Sequence, residues 1–386
     1  MAASMRRPIK ALNAVWQIDV DETGTALVEI LRHLDRDRVQ TDVLVTSQYE
    51  GPYDLLIKEL GAQIVLGKDH FRPGRNLREL ADINNRYGPY DVVHIHRHQH
   101  FGGAPFLRAA HQLEIPVRVV HNHLMPKNDN SGNERTRMAV AGYLTKRHCT
   151  HGFAVTADSA CSLFGPQWER DPRFDVLPPA CDFSPFRSHG SRARIRSELG
   201  IADDEFALAH VSGFSDAGEQ EFVLAIAFEL KKHLPKYRVV MFGDGPLLHD
   251  SQHQVMFAGL PEHVLFRGLT VDLPAHLLAM DGFVFPSSVP AVSSATLKAQ
   301  AAGLVCFLSE EVAHEVEIVP ELIRRVPLDS GAAIWAQEIA AHCHAPLSQA
   351  QALEKCLASV SNVTRYVERV ERVYASALAQ DAAVSV

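Results

Sequence analysis

Residues 283–304 read FVFPSSVPAVSSATLKAQAAGL. An apolar run, Gly282–Phe285, stops at Pro286, and a loop of small residues follows. Ser293 and Ser294 are the helix-starting residue types, and Gly303 is a natural stop, so a helix is expected between them. A strand that hands its chain through a loop to a helix N-terminus points N–H groups and the positive end of the helix dipole at whatever lies there. In an open α/β sheet, that strand end is also where ligands bind. The backbone pattern therefore predicts an anion site. The side chains around it lack the paired cations that a diphosphate usually meets, and this mismatch shapes the functional reading.

The same alternation extends in both directions. Upstream, strands are expected at Ile9–Val15, Val39–Thr46, Gln63–Leu66, Asp91–His96, Val117–Val120 and Gly152–Thr156. Helices are expected at Thr25–Leu34, Pro52–Leu60, Leu77–Asn85, Ala104–Gln112, Asn133–His148 and Ala157–Phe164. Strand–helix alternation with short loops is the signature of a doubly wound parallel sheet. A proline-rich stretch, LPPACDFSPF within 175–191, cannot be a helix interior and marks a boundary. The alternation then restarts, with strands at Phe206–Val211, Tyr237–Phe242, Val264–Phe266, Phe283–Phe285 and Leu304–Leu308, and helices at Glu219–Lys232, Leu273–Met280 and Ser293–Ala302. The chain is helical from Gly331. Its last segment, Ser359–Leu378, carries Val360, Val363, Tyr366, Val367, Val370 and Val373 on one stripe. The expected division is residues 1–180, 181–358 and a final helix in 359–386. Two such domains would face each other across a cleft suited to a small ligand.

The chain has 386 residues, a net charge of -8, 46% hydrophobic and 22% charged residues. That size supports two or three cores, and the acidic balance gives a nucleic-acid partner no electrostatic support. No apolar run is long enough to span a bilayer. The N-terminus lacks the apolar core of a secretory signal. The six cysteines are scattered without a C-x-x-C pair, and with these features they suggest reduced thiols in a cytoplasmic protein.

Twenty-one histidines are present. His94, His96, His98 and His100 alternate, and His121 and His123 end the next strand. Alternate residues share one strand face, so adjacent parallel strands could bring His96 and His123 together. Imidazoles serve as acid–base groups or as metal ligands. The reading preferred is site histidines, His121 and His123, without a metal; His94, His96, His98 and His100 are the candidates if one binds. Asp19, Asp21 and Glu22 form an acidic tip after the first strand. They suit either a helix cap or, at Glu22, a general base.

The stretches LRHLDRDRVQTDVLVTS, GPYDLLIKELGAQI, PYDVVHIH, FLRAAHQLEIPVRVVHNH, RIRSELGI, FALAHVSGFS, FGDGPL, VLFRGLTVDLPAHLLAMDGFVFPS and KAQAAGL keep their order and spacing through nearly the whole chain. Together they make the sequence resemble the retaining family-four glycosyltransferases of the GT-B fold, particularly the exopolysaccharide-type branch. The resemblance implies an α/β protein of two Rossmann-like domains facing a cleft, with no tightly bound cofactor. It implies a nucleotide-sugar donor on the C-terminal side, a saccharide, lipid or small-molecule acceptor on the N-terminal side, and a last helix that crosses back. It assigns Gly213, Ser215, Gly243, Asp244, Gly245, Ser293, Ser294 and Lys298 to the donor. The family's two glutamates flanking the 283–304 loop correspond here to Pro290 and Lys298. Its arginine and lysine for the diphosphate correspond to Gly213 and Gly218, and its N-terminal glycine pair to Asp21 and Glu22.

Two functions are thus in play. One is a hexosyl-transferring enzyme with a rebuilt donor site. The other is a non-catalytic relative that binds a sugar or a protein partner, such as an active glycosyltransferase. Metal-dependent chemistry at the histidines is a third, and peripheral membrane contact is compatible with each.

Overall fold

The computed structural model describes residues 7–18, 22–47, 51–67, 76–97, 103–124, 132–188, 192–270 and 272–384. It divides into two units. The first is residues 1–180 together with 363–386, and the second is residues 181–362.

The first unit is built on a parallel sheet of β1 (Ile9–Val15), β2 (Val39–Val45), β3 (Ile64–Leu66), β4 (Val92–Arg97), β5 (Val117–Asn122), β6 (His151–Ala154) and β7 (Phe174–Val176). Their order is β3-β2-β1-β4-β5-β6-β7. The strand order reverses between β1 and β4, which is the switch point of a doubly wound sheet. Strands such as VVHIHR are buried along their whole length because helices cover both faces. One face packs against helices including Ala104–Gln112 and Ala157–Phe164, through Leu107, Ala110 and Leu163 among others.

The other face is closed by the last helix, Val363–Val384. Its stripe of Val363, Tyr366, Val367, Val370, Tyr374 and Ala377 packs on Ala11, Val92, Val117, Val119 and Phe153. Val360, expected on that stripe, lies before the helix and is exposed. The segment before the helix is held instead by the second unit: Cys181 N–H donates to the Ser361 carbonyl at 2.8 Å, and Cys181 bridges Asn362. The seam read at 358 therefore falls at Asn362.

The second unit's sheet contains β8 (Phe206–Val211), β9 (Tyr237–Phe242), β10 (Val264–Gly268), β11 (Gly282–Phe285), β12 (Val305–Leu308) and β13 (Ile323–Arg325), all parallel, in the order β10-β9-β8-β11-β12-β13. Its switch point lies between β8 and β11. Trp335 and Ile339 of the helix Ala332–Ala341 join Leu224 and Ala227 of the helix Ala217–Leu230 in its core.

Two short strands, β7 and β13, and the helix Leu248–Phe257 were not anticipated. Three-residue strands carry no readable period, and LHDSQHQVMF spreads its few apolar residues too thinly to show a face.

Candidate functional site

In the first unit the polar groups gather where β4 and β5 end. His96 and His121 are register partners, and Asn13 of β1 lies opposite His94. Because alternate strand residues share a face, His94, His96, His121 and His123 line up on one side of the sheet. The rings stack: centroids are 4.4 Å apart for His94 and His96, 4.2 Å for His121 and His123, and 5.4 Å for His96 and His123. His94, His96 and His121 are buried, while His123 at the strand exit is half-exposed.

The last helix supplies hydroxyls to this stack. Tyr374 Oη lies 2.7 Å from His94 Nδ1, and Tyr366 Oη lies 3.3 Å from His121 Nδ1. Burial pushes both phenols up, so both keep their protons. Burial also lowers His96 to about 4. It holds His94 and His121 well below the ordinary imidazole value, with repulsion from neighbouring histidines adding to the effect. The buried stack is therefore neutral at neutral pH. His94 Nε2 and His121 Nε2 are buried without a hydrogen-bond partner.

Among the described residues, one ring nitrogen from each of His94, His96 and His121 lies within 4.8 Å of the others. His96, however, spends both nitrogens elsewhere, on Asn13 Oδ1 and on His123 Nε2, each at 3.1 Å. That leaves two uncommitted nitrogens, whereas zinc sites take three or four protein ligands. To serve as a third ligand, His96 would have to give up one of these partners. His98 and His100, the other metal candidates, lie outside the described residues, as do Asp19 and Asp21. Glu22 opens the helix Glu22–His33, but its side chain is outside the described set.

Sequence reasoning missed Asn13, Tyr366 and Tyr374 as members of this cluster. An asparagine inside the apolar run IKALNAV was the available signal for the first. Tyr366 read simply as a member of an apolar helix stripe, and Tyr374 was not on the stripe as read. On the opposite sheet face, Arg97 Nη1 donates to Asn122 Oδ1 at 2.8 Å, and Asn122 Nδ2 donates to Ser159 Oγ at 2.8 Å. These bonds pin the two strand ends to the helix behind them.

In the second unit, three loops follow three adjacent strands: 212–216 after β8, 243–247 after β9 and 286–293 after β11. The first two are joined through backbone, and the second is also tied to the end of β10. Leu247 N–H donates to the Phe214 carbonyl at 3.0 Å, and Gly243 N–H donates to the Gly268 carbonyl at 3.0 Å. Gly243 has φ +123°, and a Cβ there would overlap the Ser212 carbonyl oxygen. A Cβ at Gly245 would overlap the Gly213 carbonyl oxygen. Phe214 holds φ +42° with its ring fully buried, which turns Gly213 and Ser215 outward. The third loop joins through Ser288 Oγ, 3.4 Å from Asp216 Oδ2. Ser287 Oγ donates to the Val289 carbonyl at 2.9 Å, and Ser309 Oγ to the Ser287 carbonyl at 2.6 Å.

The structure thus brings Gly213, Ser215, Gly243, Asp244 and Gly245 into one loop cluster beside the switch point. Ser293 caps the helix Ser294–Ala301 without a side-chain cap hydrogen bond, and Lys298 lies half-buried one turn in. The Lys298 ammonium has no hydrogen bond or ion pair among the described residues. The neighbouring helix, Ala217–Leu230, differs: Asp216 fills its N-terminus by accepting from Gly218 N–H at 2.9 Å. Two acids, Asp216 and Asp244, are exposed on these loops. Neither helix in this cluster is a membrane span; among the described residues no helix is long and apolar enough to cross a membrane.

Residues 191–341 match the family model described as glycosyl transferases group 1. Over 365 residues the chain is 27% identical to EpsF of Bacillus subtilis (strain 168), a protein named as a glycosyltransferase; this spans 93% of the chain and 94% of EpsF. Among solved structures, Anabaena HepE in complex with UDP superposes with a TM-score of 0.68 at 18% identity, over 98% of this chain and 99% of that one. A glycosyltransferase from Rickettsia africae superposes with a TM-score of 0.74 at 13% identity, over 97% and 99%. Residues 191–341 thus carry the group 1 glycosyltransferase pattern, the chain is similar to EpsF along nearly its whole length, and its two-sheet fold is that of the solved GT-B structures.

Proposed function

We propose that this protein transfers a sugar from a nucleotide-activated donor to a hydroxyl acceptor, with the donor held by the second unit through a rebuilt site. The observation that carries this reading is the backbone cradle at Gly213, Gly243 and Gly245. It lies inside the segment that matches the group 1 family, and at Gly243 and Gly245 it excludes any side chain. These glycines let the loops pack backbone against backbone beside the sheet's switch point, where open α/β sheets bind their ligands.

The rebuilding concerns charge. A nucleoside diphosphate carries at least two negative charges, normally met by paired cations or several N–H donors. Gly213 and Gly218 stand where the resembling family places its cations, and Asp216 occupies one helix start. The start of the helix Ser294–Ala301 and the unpaired Lys298 remain to meet a phosphate or a ribose hydroxyl. In the first unit, His123 is the half-exposed member of the stack and takes the substrate-facing role, with His121 supporting it from within. Glu22 stays a candidate base by its place after β1. The proposed acceptor is a saccharide, lipid or small metabolite.

The loss of cations together with exposed Asp216 and Asp244 also favours a second reading, a non-catalytic relative that binds a sugar or a partner protein. A thermal-shift screen with UDP-, GDP- and ADP-sugars, followed by donor hydrolysis assays, separates the two. Transfer requires a stabilising shift with at least one donor and slow release of its nucleotide. No shift with any of them sinks the enzyme reading; a shift without turnover supports the second.

A further inference from the structure

The helix Leu248–Phe257 reads LHDSQHQVMF and carries histidines at 249 and 253. Residues four apart lie on the same helix face. Ser251 and Val255, two positions on from each histidine, are buried, so their face meets the core and the histidine face meets water. Both histidines are exposed. Their Nε2 atoms are 3.0 Å apart while the ring centroids are 4.4 Å apart, so the rings lean toward each other at the nitrogens. Among the described residues neither ring has another hydrogen bond or ion pair. The helix start beneath them is braced: Ser251 Oγ donates to the Leu247 carbonyl at 2.9 Å, and Leu248 N–H donates to the Gly245 carbonyl at 3.1 Å.

Held as a hydrogen bond, this contact uses one ring's N–H and the other's lone pair. In water it replaces equivalent bonds to solvent, so little is lost when it breaks. With both lone pairs turned inward, the same geometry is a chelating bite. Bonds of about 2.0–2.1 Å from each imidazole nitrogen, spanning the 3.0 Å gap, meet at an angle of about 95°. That is near the right angle of tetragonal copper(II) and nickel(II) sites rather than the wider tetrahedral angle. We propose that His249 and His253 chelate one copper(II) or nickel(II) ion on the outer face of this helix, with water in the remaining positions. Two imidazoles suit such an ion and do not suit magnesium or calcium, which take oxygen ligands. The ion ties the first turn of the helix to the second, directly after the 243–247 loop. This site belongs to the second unit, whereas the buried histidine stack belongs to the first, and it does not depend on sugar transfer.

The test is calorimetric titration of nickel(II) into the full chain carrying no histidine tag. The wild type should bind one equivalent that is weakened at least about tenfold in His249→Gln and in His253→Gln, because either change leaves a single imidazole without its linked partner. Both positions are exposed, so the glutamine variants keep the fold. The wild type also carries its own control: His233 is exposed and has no histidine four residues away. In proton–carbon correlation spectra of the imidazoles, substoichiometric copper(II) should broaden His249 and His253 before His233. Saturating nickel(II) should slow hydrogen exchange within Leu248–Phe257 in the wild type and not in the variants. Magnesium at the same concentration should change neither the spectra nor the exchange. Unchanged nickel affinity in both variants overturns the proposal, as does broadening of His233 in step with His249 and His253.

Discussion

At the end of the first sheet the polar groups are side chains: four stacked imidazoles, an asparagine and two phenols from the last helix. At the corresponding end of the second sheet they are mostly backbone: carbonyls and N–H groups of three loops, with glycines where a side chain would collide. Both sets lie beside a switch point, and both are stiffened from behind. The materials differ in what disturbs them. Imidazoles bind protons, so the first set is sensitive to pH and to loss of single atoms. A backbone cradle does not titrate, but it tolerates no added volume and little change in φ.

Acid should expose the largest difference. His94, His96 and His121 are neutral in the folded state and their pKa values are depressed by burial, to about 4 for His96. Unfolded, each binds a proton near pH 6.5. Stability from these groups is thus intact above about pH 6.5 and is lost as pH falls toward 4. The slope is up to ~1.4 kcal/mol per pH unit for each histidine. Segment-resolved hydrogen exchange should show β4 and β5 losing protection ahead of β8 and β9; simultaneous loss in both units would break the contrast.

Gly243→Ala is the converse experiment. The positive φ and the overlap with the Ser212 carbonyl should cost roughly 3–5 kcal/mol, seen as a lower melting temperature and lost protection confined to the second unit. A neutral outcome would mean the cradle is pliable. Tyr374→Phe should destabilise the first unit by about 1–2 kcal/mol by stripping the partner from buried His94. Tyr366→Phe, with its longer 3.3 Å contact, should cost less. Lys298→Ala is the gentlest. It should leave stability within ~0.5 kcal/mol while weakening donor binding about tenfold, or ~1.4 kcal/mol, in calorimetric titration. Unchanged affinity would remove Lys298 from the donor site.

The local elements were legible where a period or a stop signal existed. Pro286, the serines at 293–294 and Gly303 bracket a strand, loop and helix that form as read, because each residue type restricts the backbone by itself. Alternation placed His94 and His96 on one face for the same reason. The edge strands β7 and β13 were not legible, being too short to show alternation. Nor was the role of Tyr366 and Tyr374: the stripe as read held only Tyr366, and a stripe tells which residues are buried, not which buried group they meet from more than two hundred positions away.

The sequence by itself therefore determined the alternating α/β plan, the glycine-bearing turns and the shared face of the histidines, all consequences of local sterics and short periods. Only the tertiary structure decided which histidines are sealed under the last helix and which one reaches the strand exit. It also decided that Asn13 meets His96 and that Tyr374 meets His94. Those facts depend on strand order and register, which join residues distant in sequence. Burial then sets their protonation, because the cost of charge depends on what surrounds a group in space.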